Sequence, residues 1–133
     1  MSKERSQSSC CQFDNNTIYI FGGYNQKEGT LSSIERFLID TRKMEMLKLA
    51  MPEPLRRFAS LKISTTKILL LGGILRMSKE SDAVFCFDLE KDVMAIEQLD
   101  KMDKAGIVDY PIILDQVGCL HVFLESEAGT TPP

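Results

Sequence analysis

A double glycine behind a run of apolar residues occurs twice in the chain, fifty residues apart: "TIYIFGGY" over Thr17–Tyr24 and "KILLLGGI" over Lys67–Ile74. Self-similarity at such a period constrains the fold more than any local propensity does. Each repeat must be one supersecondary unit that buries its faces on its neighbours. Aligning Gly22 and Gly23 with Gly72 and Gly73 brings other features into step. "FLID" (Phe37 to Asp40) meets "FCFD" (Phe85 to Asp88), and six residues after each aspartate comes a methionine, Met46 and Met94. The connecting segments "MPEPLRR" (Met51 to Arg57) and "MDKAG" (Met102 to Gly106) fall 51 residues apart. A third, poorer copy, "YPIILDQVGCLHVF" (Tyr110 to Phe123), carries Leu124 and Glu125 in place of the double glycine.

Within a period the pattern predicts four short strands. In the second copy, "FASLKIS" (58–64) alternates apolar and polar residues, Thr65 and Thr66 make a turn, and "KILLL" follows as a strand buried on both faces. The double glycine ends that strand where the backbone must bend or approach a neighbour closely. After the polar loop "ILRMSKES" come "DAVFCFD" (82–88) and an amphipathic outer strand, "VMAIEQL" (93–99). No segment carries a convincing helical period, and "KMEMLKLAM" fits an edge strand. The prediction is all-β, with four antiparallel strands per repeat of about fifty residues, the length class of propeller blades.

Composition narrows the function. The chain has 133 residues, 44% apolar and 26% charged, with a net charge of −3 and both signs interleaved. That is an ordinary globular balance, and without a basic run nothing points to nucleic acid or an anionic membrane surface. The apolar runs are too short to span a bilayer, and "MSKERSQSS" has no apolar segment of a secretory signal. Cys10, Cys11, Cys86 and Cys119 show no CxxC spacing and are expected to be reduced and mostly packed. "DNNT" (Asp14 to Thr17) contains a glycosylation sequon but reads as turn chemistry between two strands.

Catalysis finds little support in the residues. His121 is the one histidine, inside "CLHVF", where it is expected to pack or to be hydrogen-bonded. One imidazole makes no two-histidine metal site and leaves serine or cysteine nucleophiles short of a base. "FGGY" and "LGGI" are strand ends rather than phosphate cradles. No cofactor or metal is expected. Asp40 and Asp88 are expected to cap equivalent turns, and Met44, Met46 and Met94 to fill gaps between repeats.

"IYIFGGY" and "ILLLGGI" resemble the second strand and double glycine of the kelch-repeat β-propeller family. Ile39-Asp40 and Phe87-Asp88 stand at its Tyr-Asp step, and "MPEPLRRFAS" resembles its linker between blades. The family's tryptophan would fall on Met46 and Met94, and this chain has no tryptophan. The resemblance covers about residues 5 to 124 and implies an incomplete ring within 1–125. Blade one is expected at about 6–50, blade two at about 57–99, a closing half-blade at about 106–124, and a polar tail at 126–133. Two and a half blades leave apolar faces and a strand edge bare, so the chain is expected to belong to a longer propeller or to pack against another subunit. Met1 aligns with Met51, which puts the start in the phase of a linker between blades.

The resemblance further implies a non-catalytic scaffold that binds a protein or peptide partner in the cytoplasm, and it leaves cytoskeletal association open. Binding should fall on the loops that do not repeat, "PEPLRR", "YNQKEGTLSS" and "ILRMSKES", which open on one face of the blades. Tyr24, Asn25, Arg56, Arg57, Arg76 and Lys79 are expected to converge there. The alternative is a structural subunit that uses its open blade faces to complete a larger assembly.

Overall fold

The computed structural model describes residues 4–89, 95–102, 104–108 and 112–121. The first antiparallel sheet comprises β1 (Ser9–Gln12), β2 (Thr17–Phe21), β5 (Ser33–Leu38) and β6 (Lys43–Ala50), in the order β1-β2-β5-β6. Between β2 and β5 the loop folds into its own two-residue ladder, β3 (Tyr24–Asn25) on β4 (Gly29–Thr30). The second sheet repeats the plan with β7 (Ala59–Lys62), β8 (Lys67–Leu71), β9 (Ala83–Asp88) and β10 (Ala95–Lys101). Its corresponding loop holds a single 3-10 turn, Arg76–Ser78. A third unit contributes the pair β11 (Ile113–Leu114) and β12 (Leu120–His121). The all-β expectation is met.

The two sheets pack through their aromatic faces. Tyr19 and Phe21 of β2 meet Phe87 of β9 edge-on, with ring centroids at 5.1 and 5.3 Å. Ile34, Met51, Leu55, Ile68, Leu70 and Phe85 complete a buried core between them. This is why residues 18–21 and 68–71 are apolar without a break: β2 and β8 lie inside a stack of sheets, with side chains on both faces covered or partly covered. The strand β6 lies at the edge, and from Glu45 onward its exposure alternates residue by residue.

Backbone hydrogen bonds carry the period across the sheets. The Arg57 amide donates to Gln7 O at 2.9 Å, and the Val108 amide donates to Arg57 O at 3.0 Å. Likewise the Gly23 amide reaches Leu55 O (2.8 Å) and the Gly73 amide reaches Gly106 O (2.7 Å). Each repeat therefore hands the same bonds to the next.

The double glycines sit where these bonds are made. Gly22, Gly23, Gly72 and Gly73 all have positive φ. A Cβ at Gly22 would stand 2.4 Å from Leu55 O, and one at Gly73 2.6 Å from Phe58 Cβ and 2.7 Å from Arg56 O. Only glycine satisfies both the conformation and the approach.

Three expectations are corrected. Asp40 and Asp88 are not equivalent: Thr17 pairs with Leu38 and Lys67 with Asp88, so Asp88 corresponds to Leu38. Asp40 does serve a turn, accepting from the Thr41 amide at 2.7 Å, whereas Asp88 lies within β9 and faces Lys67 at 3.9 Å. The error is a slip of two residues, which leaves every side chain on its own face and so is invisible to alternation. Met46 does not fill a gap between sheets; it is 41% exposed on β6, Met44 is half-buried on the outer face of the first sheet, and Met94 lies outside the described residues. The cysteines are not mostly packed, because Cys10 and Cys119 are exposed while Cys86 is buried and Cys11 half-buried.

Candidate functional site

Strands alternate in direction, so the loops preceding β1 and β7 open on the same rim as the β2–β5 and β8–β9 connections. The turns at Asn15–Asn16 and Thr65–Thr66 lie on the opposite rim. Arg57 precedes β7 and Thr65 follows it, at opposite ends of one strand, as the predicted hairpin topology demands. The far turn is built as its sequence suggests, with the Asn16 amide donating to Asp14 Oδ1 at 2.8 Å.

On the loop rim the structure brings Tyr24 and Arg56 together. The Arg56 guanidinium lies 5.4 Å from the centre of the Tyr24 ring, a cation–π arrangement on a tyrosine that is 37% exposed. Arg56 Nη1 also donates to Gln7 Oε1 at 2.9 Å, which fixes the guanidinium plane over the ring. Backbone bonds hold both partners: Tyr24 pairs with Ser6, and Arg56 pairs with Ile74 at the same point of the next repeat. Asn25 is spent on the loop itself, donating to Glu4 O and Glu28 Oε2 and accepting from the Glu28 amide. A groove of about 640 Å³ runs beside this cluster, lined by Glu4, Arg5, Ser6, Tyr24, Asn25 and Gln26.

The remaining expected site residues are spread out. Arg57 does not join the rim. With φ at +53° it lines an inner groove with Gln7, Ser8, Cys10, Ser60 and Val108, where the innermost strands meet. Arg76 and Lys79 are exposed on the second sheet's own loop, around the 3-10 turn. Gln7 and Glu4 were missed in the sequence, although the alignment of Ser6 with Arg56 could have placed Gln7 beside the rim.

Elsewhere, His121 is not packed inside a strand core. Its side chain is exposed and its Nε2 lies 2.8 Å from Asp115 Oδ2, a bond that holds the Asp115 carboxyl below its ordinary range. Asp115 also accepts from the Val117 and Cys119 amides, so the pair closes the β11–β12 hairpin. Desolvation, partial at Cys10 and Cys11, pushes the Cys10, Cys11 and Cys86 thiols up, away from the thiolate that nucleophilic chemistry needs. Among the described residues no group of three His, Cys, Asp or Glu side chains could hold a metal ion.

A repeat whose apolar second strand ends in two positive-φ glycines, packed face to face on its copy, is matched by a known motif. The Kelch motif family model covers residues 5–43, which is the first sheet through the start of β6. The first sheet is similar to a kelch motif. The whole arrangement superposes on the solved structure of YjhT with a TM-score of 0.66 at 12% identity, over 78% of this chain and 40% of that one. At that identity the likeness is one of fold, and the chain spans less than half the length of the structure it matches. No curated protein matches the sequence. The architecture is that of kelch-type propeller blades, and the sheets are called blades from here on.

Proposed function

We propose that this chain is a non-catalytic interaction module whose loop rim, centred on Tyr24 and Arg56, binds a protein or peptide partner. The observation that carries the reading is the fixed Arg56–Tyr24 stack beside an open groove. Arginine and tyrosine are among the residues enriched at interface hot spots, and a pre-set guanidinium loses little freedom on binding. Asn25 shapes the loop around them, and Arg76 and Lys79 extend the surface onto the second blade. A cytoplasmic setting fits reduced thiols, with the cytoskeleton as one location to be checked by fluorescent tagging.

The reading is tested by selecting peptides on the full chain from a random displayed library. Selected peptides should lose binding to Arg56→Ala and Tyr24→Ala while the circular dichroism of the variants stays that of the parent. Peptides that bind both variants as tightly as the parent would remove the rim from consideration.

A second reading, a structural subunit that joins an assembly through an open blade face, is favoured by a separate observation. The outer face of the first blade carries an apolar groove of about 420 Å³, lined by Ser8, Cys10, Ile18, Ile20, Phe37 and Met44. Sedimentation separates the two readings, because a rim-binding module can be monomeric whereas a structural subunit co-assembles.

A further inference from the structure

Framework residues of a repeat recur, and Arg56 does not. The Arg57 amide donates to Gln7 O as the Val108 amide donates to Arg57 O, so Ser6 stands at the position of Arg56 one repeat earlier and Ile107 one repeat later. The bridge partner changes as well. Ser6 pairs with Tyr24 and Arg56 with Ile74, yet Ile74 is 7% exposed and Tyr24 is 37% exposed. Arg56 and Tyr24 therefore meet across two repeats, at places where the same fold accepts a serine and isoleucines. The packing of the blades does not require their stack.

The guanidinium is also short of partners. Arg5 is paired with Glu35 and Arg36 with Glu45, but among the described residues no carboxylate pairs with Arg56. Its Nη1 donates to Gln7 Oε1 at 2.9 Å and its face lies over the Tyr24 ring, while its Nε is buried without an acceptor among the described residues. A buried donor left without an acceptor is costly, and such groups are rare in folded proteins. Nε and Nη2 share one edge of the guanidinium, the edge that can grip both oxygens of a carboxylate.

We propose that the Nε–Nη2 edge of Arg56 is a receptor for one carboxylate group of the partner. This deepens the rim-binding reading and rests on it. Gln7 and Tyr24 hold the guanidinium in one orientation, so little freedom is lost when the carboxylate arrives. A small slide of the guanidinium across the ring opens Nε to the ligand and keeps the stack. A carboxylate fits better than a phosphate. The other arginine at the groove, Arg5, is already paired with Glu35, and Glu4 adds negative charge to the groove wall. One unpaired guanidinium near that charge suits a ligand group with a single negative charge. The rest of the peptide lies past Tyr24 along the groove, where Ser6 and Gln26 offer hydrogen bonds to its backbone.

The test follows the Arg56 Nε–H signal in proton–nitrogen NMR spectra of the full chain, where Arg56→Lys identifies it by its loss. Acetyl-glutamate amide carries a side-chain carboxylate and acetylglycine a terminal one; acetyl-glutamine amide and inorganic phosphate are the comparisons. Both carboxylate probes should move the signal downfield to saturation in the millimolar range. The tighter of the two tells whether the partner presents an acidic side chain or its C-terminus. Acetyl-glutamine amide should leave the signal in place, phosphate should bind no more tightly than carboxylate, and the Nε–H of buried Arg5 should not respond. Followed on the Tyr24 ring signals, Arg56→Lys keeps the charge but loses the fork and should weaken carboxylate binding about fivefold or more. A signal indifferent to both carboxylates, equally responsive to the glutamine probe, or tighter for phosphate would overturn the proposal. So would carboxylate binding to Arg56→Lys as tight as to the parent. Library-selected peptides that need Arg56 and Tyr24 yet carry no carboxylate would overturn it too, and would leave the rim reading standing. Carboxylate binding at Arg56 without any rim-dependent peptide would count against the rim reading instead.

Discussion

Leu55 and Phe85 belong to the core between the two blades, and one repeat earlier the same places are taken by Arg5 and Glu35. All four side chains are fully buried, so the position is closed in both blades and only the chemistry differs. Arg5 donates to Gly22 O at 2.8 Å, Ser33 O at 3.2 Å and Ser33 Oγ at 3.1 Å, and pairs with Glu35 at 2.9 Å. The first blade thus ties the segment before β1 onto β5 through charge-assisted bonds, where the second blade uses apolar contact with its neighbour. Between the two sheets the repeat is hydrophobic; in the first sheet a buried ion pair closes the same gap.

The largest effect expected from breaking the shared framework is at the glycines, which the two blades have in common. Gly73→Val forces a branched side chain to φ near +92° and into Phe58 Cβ and Arg56 O. The cost should be about 4 kcal/mol or more, enough to unfold a marginal domain. Gly29→Val provides the contrast, because it shares a positive φ but a Cβ there meets nothing within 4 Å. Urea denaturation of both variants checks it, and equal losses would show that close approach is not what the double glycine serves.

Next in size is the contrast between equivalent phenylalanines. Phe87→Ala removes a fully buried ring in contact with Tyr19 and Phe21 and should cost about 3–5 kcal/mol. Phe37→Ala, half-buried on the open groove, should cost about 1 kcal/mol. The gap between them measures what a covering sheet contributes.

The ion pair sharpens the comparison from the other side. Glu35→Ala strands the Arg5 guanidinium in a buried site and should cost about 3 kcal/mol. Arg5→Leu combined with Glu35→Phe copies the second blade and should recover most of that loss, as a double-mutant cycle in denaturant will read. A double variant as damaged as the single one would mean that the two blades differ in backbone as well as in filling.

Much of this was legible in the sequence, for a physical reason. Repetition and alternation report which face a residue occupies, and that located the strands, the glycines and the two rims. What alternation cannot report is a slip by two residues, so Asp88 was matched to Asp40 instead of Leu38, and exposed Ile39 to buried Phe87. Nor can it report a turn of the backbone at one residue. Arg56 and Arg57 are adjacent and look alike, yet the positive φ of Arg57 sends it to the inner groove while Arg56 stays over Tyr24. The Arg5–Glu35 pair joins residues thirty apart in sequence, and no local pattern announces it.

The smallest expected effect separates the far turns of the two blades, which have the same shape and different chemistry. The Asn16 amide is held by the Asp14 carboxylate at 2.8 Å, and the Thr66 amide by the Ser64 hydroxyl at 3.3 Å. Only the first can titrate. The bond from the Asn16 amide, more than any other contact, lowers the Asp14 pKa. A carboxyl whose folded pKa is depressed contributes fully above its unfolded value of about 4, and that contribution disappears as pH falls through the lower folded value. The carboxylate is exposed, so the contribution at neutral pH should be about 0.5 kcal/mol. Asp14→Ala should therefore lower Tm at pH 7 and converge with the parent under strongly acid conditions, while Ser64→Ala should lower it by the same amount at both. If the Asp14→Ala difference persisted unchanged into acid, the turn would owe its stability to shape alone, and the two blades would be alike at this end.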